Sequence, residues 1–176
     1  ELPEGRAPPA AGLLMARQIA WIEDKSPLKV AAKGRRTGIT YAEALDDTLT
    51  AATRRSDGGD NVYYIGDTKE KGLEFIRYVA HFARVVGKEL AEVEEFFFED
   101  RQTDGTSKHI AAYRVRFASS FQIAALSSRP ANIRGLQGIV AIDEAAFHPN
   151  VAEVLDAVNA LLIWGGKIRI ISSHNG

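Results

Sequence analysis

A loop rich in glycine and cations follows the first apolar run of the sequence. The loop and the residue that starts the next helical pattern read Lys33-Gly34-Arg35-Arg36-Thr37-Gly38-Ile39-Thr40. A strand, a glycine loop and a helix in this order can bind phosphate, because backbone N–H groups and the positive end of the helix dipole converge on the anion. The sequence therefore predicts a phosphate site over residues 33–40. The alternative is a basic turn between a strand and a helix.

The loop departs from the common phosphate-binding pattern G-x-x-x-x-G-K-[ST]. Ile39 stands where that pattern has its lysine, whereas Thr40 is present and could ligate Mg²⁺. Lys33 stands where the pattern has its first glycine. Because the lysine side chain has four methylene groups, its ammonium could still reach bound phosphates from this end of the loop.

A second candidate site is the acidic pair Asp143 and Glu144, which directly follows the apolar run Ile139-Val140-Ala141-Ile142. Four consecutive apolar residues are typical of a strand buried on both faces of a parallel sheet. An aspartate at the end of such a strand could hold Mg²⁺, and the neighbouring glutamate could act as a general base on water. The alternative is a chance acidic pair at a strand end.

The patterning around these sites predicts an α/β fold. Helices are expected at 13–22, 40–54, 67–86 and from 150 to about 164, and strands at 28–32, 62–65, 110–117, 121–126, 139–142 and 167–171. Residues 88–100 are acidic and ambiguous. The strands at 110–117 and 121–126 are expected to form an antiparallel pair, and the others a mainly parallel sheet with helices on both faces. Lys33, Asp143, Glu144 and Ser172 then share the carboxyl edge, where such sheets bind ligands.

Composition limits the other classes of function. The 176 residues suffice for one domain, predicted at 13–176 after a loose segment at 1–12. The sequence has 22 lysines and arginines and 23 acidic residues, a net charge of −1. The chain therefore has no overall excess of basic residues that would indicate binding to nucleic acid. Without cysteine there is no disulfide or thiolate metal site, and the four scattered histidines do not suggest zinc. Neither a membrane span nor a signal peptide is apparent.

Together these motifs resemble the N-terminal ATPase domain of the tailed-phage terminase large subunit, the DNA-packaging motor, and most of all its Mu-like branch. That family often places its lysine at the start of the loop, as Lys33 does. The segments 126–135 and 139–147 are similar to the family's run into its Walker B motif, and 170–176 to its coupling motif. The resemblance covers nearly the whole chain and implies a P-loop fold of the RecA-like, ASCE type.

The resemblance also implies a role for each matched residue. Nucleotide binding falls to Gln18, which would contact adenine, and to the loop residues Lys33, Gly34, Arg35, Arg36, Thr37, Gly38, Ile39 and Thr40. Thr40 and Asp143 would hold Mg²⁺, and Glu144 would orient the attacking water. Ser172, Ser173 and His174 would couple hydrolysis to DNA movement. Arg129 or Arg134 would act as an arginine finger, in cis or from a neighbouring subunit.

Several of these residues also have ordinary structural interpretations. Gln18 could simply pack on the sheet, Arg129 and Arg134 could pair with surface acids, and His174 could be a loop residue. Arg114 and Arg116, which alternate with apolar residues, more often indicate a solvated strand face than a contact with DNA.

The family implies an enzyme that hydrolyses ATP with Mg²⁺ and translocates double-stranded DNA into a procapsid. Its partners would be double-stranded DNA, the portal protein, the terminase small subunit and further copies in a ring on the portal, in the host cytoplasm and without a membrane. The family's C-terminal nuclease domain is not in these residues. The alternatives are a helicase-like P-loop translocase, and a degenerate nucleotide-binding module with a structural role.

Overall fold

A computed structural model describes residues 14–34, 36–66, 68–85, 90–101, 104–126, 135–148 and 151–174. The segment predicted to be loose, residues 1–12, lies outside this description. Among the described residues, no helix is both long and apolar enough to cross a membrane.

One seven-stranded sheet organises the fold. Its strands are β1 (Leu28–Lys33), β2 (Val62–Ile65), β3 (Leu90–Arg101), β4 (Ser107–Phe117), β5 (Gln122–Leu126), β6 (Ile139–Ile142) and β7 (Lys167–Ser173). They lie in the order β1-β7-β6-β2-β5-β4-β3. The first five in this order are parallel, and β4 and β3 are antiparallel additions. The predicted α/β class and the antiparallel pairing of β4 with β5 are therefore confirmed, and the ambiguous acidic segment forms β3.

The described residues form four α-helices beside the sheet: α1 (Ala16–Glu23), α2 (Ile39–Ala51), α3 (Lys69–Val85) and α4 (Val151–Ile163). Buried residues of α2 and α3 pack on one face with the larger core, and Leu161 of α4 packs on the other. Helices on both faces were predicted, and this too is confirmed. On α3 the apolar side is buried at Ile76, Val79 and Ala83, as its periodicity indicates.

The helix α2 ends at Ala51, three residues before its predicted end. The chain turns back there through a short 3₁₀ turn, Arg55–Asp57, and the Gly59 N–H donates to the Arg54 carbonyl. A Cβ at Gly59 would lie 1.9 Å from the carbonyl oxygen of Thr53. This contact requires glycine, and local helix propensity does not reveal it.

The alternation of side chains along the strands places the candidate site. Lys29, Ala31 and Lys33 of β1 pair in register with Arg169, Ile171 and Ser173 of β7. Paired residues share a face of the sheet, and here it is the face on which Ile171 packs against Ala42 of α2. Lys33 and Ser173 thus emerge at the carboxyl edge on the same side as α2.

A buried cluster of charges lies on this face, near the amino ends of β1 and β7. Its members, all at most 8% exposed, are Lys29, Glu43, Asp46, Asp47 and Arg169. The Lys29 ammonium donates to the Trp21 carbonyl at 2.8 Å and to Asp46 Oδ2 at 3.2 Å, and Trp21 Nε1 donates to Glu43 Oε2 at 2.5 Å. Burial raises the pKa of Glu43 and Asp47 above the usual values. The cluster links α1 and α2 to the first and last strands.

Two lysines bind the same aspartate from different environments, which gives a test of this cluster. Lys29→Ala should lower the free energy of unfolding by about 3–5 kcal/mol, because it removes the buried cation that is paired with Asp46. Lys25→Ala removes the 3.3 Å contact with Asp46 from a side chain that is 69% exposed, so its loss should stay below about 1 kcal/mol. Urea unfolding measures both. Equal losses would show that burial of Lys29 contributes nothing.

Candidate functional site

The glycine loop is held in place by contacts with α1. Gly38, in the left-handed region at φ 73°, precedes the first turn of α2, and its carbonyl accepts hydrogen bonds from the Gln18 side-chain amide at 2.8 Å and from the N–H of Ala42 at 3.1 Å. A Cβ at Gly38 would lie 2.6 Å from Gln18 Nε2. The Thr37 carbonyl accepts a hydrogen bond from Arg17 Nε at 2.9 Å. The loop conformation therefore depends on a glycine and on two polar side chains of α1.

Ile39 is part of the core. Its side chain is 7% exposed and packs with Trp21, Ala42 and Ile171. It was predicted as a nucleotide-binding position, but the first turn of α2 directs this side chain toward the sheet. Ile39 also lines the cavity at the site, so its role in nucleotide binding stays a prediction, but its apolar side chain cannot supply the charge of the lysine usual at this position.

The carboxylate of Asp143, just beyond β6, accepts four hydrogen bonds from the described residues. Lys33 Nζ donates to Oδ1 at 3.1 Å and the N–H of Glu144 at 2.9 Å; the Thr40 hydroxyl donates to Oδ2 at 3.1 Å and the Tyr64 hydroxyl at 2.7 Å. The structure thus brings together Lys33, Thr40 and Asp143, which were predicted from distant parts of the sequence. Tyr64 was not predicted.

Glu144 is oriented by the end of β7. It has a left-handed backbone, φ 50°, and its Oε2 accepts hydrogen bonds from the Ser173 N–H at 3.2 Å and the Ser173 hydroxyl at 2.8 Å. Its Oε1 lies 3.4 Å from Lys33 Nζ. Burial raises the pKa of Glu144, but the hydrogen bonds from Ser173 and the charge of Lys33 outweigh it, so the pKa lies below its usual value. At neutral pH the side chain is therefore a carboxylate.

A cavity of about 370 Å³ opens above these residues. One wall is the glycine loop with the two acids, and the other is formed by residues that the sequence analysis did not select: Tyr41, Lys71, Glu74, Phe75 and Tyr78. The Tyr78 hydroxyl donates to Glu74 Oε1 at 2.6 Å, which raises the pKa of Tyr78 to about 12. The spacing 71, 74, 75 and 78 is that of one helix face, so a polar and aromatic stripe on α3 was the available signal.

Other predicted site residues have varied positions. Both polar groups of the Gln18 side chain are bonded within the chain, to Gly38 and to the N–H of Met15, so its contact with adenine stays a prediction. The Ser172 hydroxyl accepts a hydrogen bond from the N–H of Ala146 at 3.0 Å. His174 and Arg36 are exposed. Arg35, Arg129 and Arg134 lie outside the described residues.

The donor set suits a hard divalent cation. The Thr40 hydroxyl and the Asp143 carboxylate are oxygen ligands of the kind that Mg²⁺ prefers. The ammonium of Lys33 lies 3.2 Å from Thr40 Oγ1, 3.1 Å from Asp143 Oδ1 and 3.4 Å from Glu144 Oε1. A positive charge of the chain itself thus stands among the oxygens where a cation is expected.

Comparisons with known proteins point to one group of phage proteins. No family model matches the chain. The Mu-like prophage FluMu protein gp28 of Haemophilus influenzae is 49% identical over 164 residues, 93% of this chain. The probable terminase, large subunit gp28 of Escherichia phage Mu is 47% identical over 166 residues. The chain spans only 31% and 30% of these two relatives. The resemblance found in the motifs, to the Mu-like branch of terminase large subunits, is confirmed.

A solved structure agrees at the level of the fold. The large terminase ATPase domain of Thermus phage P74-26 superposes with a TM-score of 0.58 and 21% identity, covering 90% of this chain and 64% of that one. At this identity the match supports the same fold.

The contact between Ser173 and Glu144 makes a testable prediction. Ser173→Ala removes the hydroxyl that stabilises the carboxylate, so the pKa of Glu144 should rise toward its usual value. Ser172→Ala is the matched control, because the Ser172 hydroxyl bonds to backbone groups of Ala146 and Ser173 instead. Carbon-13 NMR titration of labelled glutamate carboxyls measures both. An unchanged Glu144 pKa in Ser173→Ala would show that the hydroxyl does not set it.

Proposed function

We propose that this chain, a relative of the Mu-like large terminase proteins, is a Mg²⁺-dependent ATPase domain that powers the packaging of DNA. One observation carries the proposal: Asp143 and Glu144 lie at the carboxyl edge of the sheet in direct contact with Lys33, and Asp143 also accepts a hydrogen bond from Thr40. A phosphate loop facing a cation ligand and a second carboxylate is the arrangement that ATP hydrolysis needs. The name of the phage Mu relative supports the link to packaging.

Binding of the nucleotide is assigned to the loop and its cations. The N–H groups around Gly34, Thr37 and Gly38 would bind the phosphates at the start of α2. Lys33 would neutralise their charge with Arg35 or Arg36. Thr40 and Asp143 would hold Mg²⁺, which supplies further neutralisation of charge on the phosphates when it is bound. Since Lys33 now lies among those oxygens, its ammonium must move when the cation site fills, and the phosphates are its natural new partners.

Water activation is assigned to Glu144. Ser173 holds one oxygen of its carboxylate, and the depressed pKa keeps the group ready to accept a proton from water at neutral pH. The same hydrogen bond connects the reacting end of the site to β7. A change at Glu144 on hydrolysis would therefore act directly on Ser173, and through the backbone of β7 on its neighbours Ser172 and His174, the residues proposed to couple hydrolysis to movement.

The partners and the arginine finger are proposed from the similarity to the two relatives. The two relatives are about three times longer than this chain, so the domain would act within a larger protein. Its partners would be double-stranded DNA, the portal, the small subunit and further copies in a ring, in the host cytoplasm. Arg129 or Arg134 would supply the arginine finger, in cis or from a neighbour.

One observation favours a second candidate, a nucleotide-binding module without hydrolysis. The usual lysine position is taken by Ile39, which is buried and has no charge to offer. The orientation of Glu144 by Ser173 counts against this candidate, because a module that does not hydrolyse ATP needs no positioned base.

The role of Glu144 can be tested by hydrolysis. Glu144→Gln should lower the ATPase rate by roughly 10²- to 10⁴-fold, the range for loss of a general base, while ATP binding persists. Glu70→Gln, on an exposed carboxylate in the first turn of α3, should leave the rate unchanged. Phosphate release and calorimetric ATP binding are the two measurements. Binding without any hydrolysis in the unaltered chain, even with DNA and at high protein concentration, would favour the second candidate.

The role of Lys33 can be tested by binding. Lys33→Ala should weaken Mg²⁺-ATP binding about 10-fold or more, because a hydrogen bond to a charged group contributes about 1.5–3 kcal/mol. The variant should also bind free Mn²⁺ better without nucleotide, because the ammonium no longer stands among the oxygens. Calorimetry and Mn²⁺ paramagnetic resonance measure these, with Lys25→Ala as the control. Equal ATP binding in all three proteins would transfer the role to Arg35 or Arg36.

A further inference from the structure

We propose that Tyr64 is a positioning residue for the cation site, acting through the carboxylate of Asp143. Tyr64 lies on β2, a strand to which the sequence analysis assigned no function, and its side chain is 1% exposed. Its hydroxyl donates to Asp143 Oδ2 at 2.7 Å. Hydrogen bonds from a hydroxyl to an ionised carboxylate are short and about twice as strong as those between neutral groups. This proposal rests on the function proposed above, because it assigns a role at the same site.

The sheet leaves room for the Tyr64 ring to reach the edge. The residues paired with Tyr64 are Ala141 on β6 and Ala125 on β5, both too small to cover the ring. Gly66 follows two positions later, and a Cβ there would lie 3.3 Å from Tyr64 Cε1. Small residues on both neighbouring strands and beyond the end of β2 thus leave space for the ring, which passes between the sheet and α3.

The orientation of the ring is fixed by α3. The Tyr64 and Phe75 rings are stacked, with centroids 3.8 Å apart and an interplanar angle of 8°. Phe75 is itself 1% exposed. A buried, stacked ring has few rotamers available, so its hydroxyl is held at a defined point beside Asp143.

The position of this hydroxyl explains why it matters for the cation. Among the four donors to Asp143 in the described part of the chain, Lys33 has a long side chain and Thr40 is itself a candidate ligand, so both would change partners when a cation binds. The two donors that would remain are the Tyr64 hydroxyl on Oδ2 and the Glu144 N–H on Oδ1. One fixed donor on each oxygen sets the plane of the carboxylate. Partners of this kind, outside the ligands themselves, typically contribute 10- to 100-fold to metal affinity.

The test compares two tyrosines that are neighbours on β2. Tyr64→Phe keeps the ring and its stacking but removes the hydroxyl, whereas Tyr63→Phe removes a hydroxyl on the opposite face, where Tyr63 packs near Phe98. The probe is Mn²⁺ binding to the chain loaded with a non-hydrolysable ATP analogue, followed by paramagnetic resonance. Tyr64→Phe should weaken Mn²⁺ binding roughly 10-fold or more. Analogue binding in the presence of EDTA should be unchanged, and Tyr63→Phe should leave both unchanged.

The outcomes separate this proposal from the function on which it rests. If Mn²⁺ affinity is the same in Tyr64→Phe and Tyr63→Phe while the unaltered chain binds the nucleotide, Tyr64 does not position the site. A loss of analogue binding in EDTA equal to the loss of Mn²⁺ binding would show a general structural effect and would also overturn the proposal. If the unaltered chain binds no nucleotide, the proposed function itself fails.

A second measurement does not depend on the stability of the Phe variant. With 3-fluorotyrosine placed at position 64, the fluorine resonance should shift when Mg²⁺ is added to the analogue-loaded chain, because the neighbouring carboxylate changes partners. The same label at position 63 should not respond. A silent label at position 64, under conditions where Mg²⁺ is bound, would overturn the proposal.

Discussion

The carboxylate of Asp143 is the point on which the site depends. It accepts hydrogen bonds from the end of β1, from the first turn of α2, from β2 and from the next residue of its own chain. A partly buried carboxylate without such donors would be costly, so each donor stabilises the charge and is itself held in place. The carboxylate therefore connects the glycine loop, the helix α2 that follows it and the strands β2 and β6. The same group is the proposed cation ligand.

The alternation of side chains along parallel strands produces two levels of charge on one face of the sheet. Near the amino ends, Lys29 and Arg169 are buried beneath α1 and α2, where they meet Glu43 and Asp46. At the carboxyl edge, four residues further along β1, Lys33 reaches the two acids of the candidate site. The buried charges near the amino ends fix how α2 lies on the sheet, and α2 in turn places Thr40 at the carboxyl edge. The helix α2 thus contributes both to the stability of the fold and to the proposed chemistry.

Packing of the core explains why position 39 holds no lysine and why we propose that Lys33 takes its role. Ile39 fills a space between α1, α2 and β7, so that position contributes apolar burial in place of charge. Lys33 approaches the same centre from the end of β1, and its ammonium already contacts both acids. The proposed ATPase activity needs a cation near the phosphates, and the end of a strand can supply it as well as the start of a helix.

Periodicity and short motifs are local signals, so the sequence was enough to predict the fold class, most strands and the long helix α3. It was also enough to select Lys33, Thr40, Asp143 and Glu144 as site candidates. Three features became visible only in the folded chain: Lys29 is buried with Asp46, the Tyr64 hydroxyl bonds to Asp143, and α3 supplies most of the second wall of the cavity. Those contacts join residues from 17 to 79 positions apart. They depend on which strands are neighbours, on small partners such as Ala125 and Ala141, and on how α3 lies across the sheet. The stripe of polar and aromatic residues on α3 is a local pattern, but the pattern does not say which strands the helix faces.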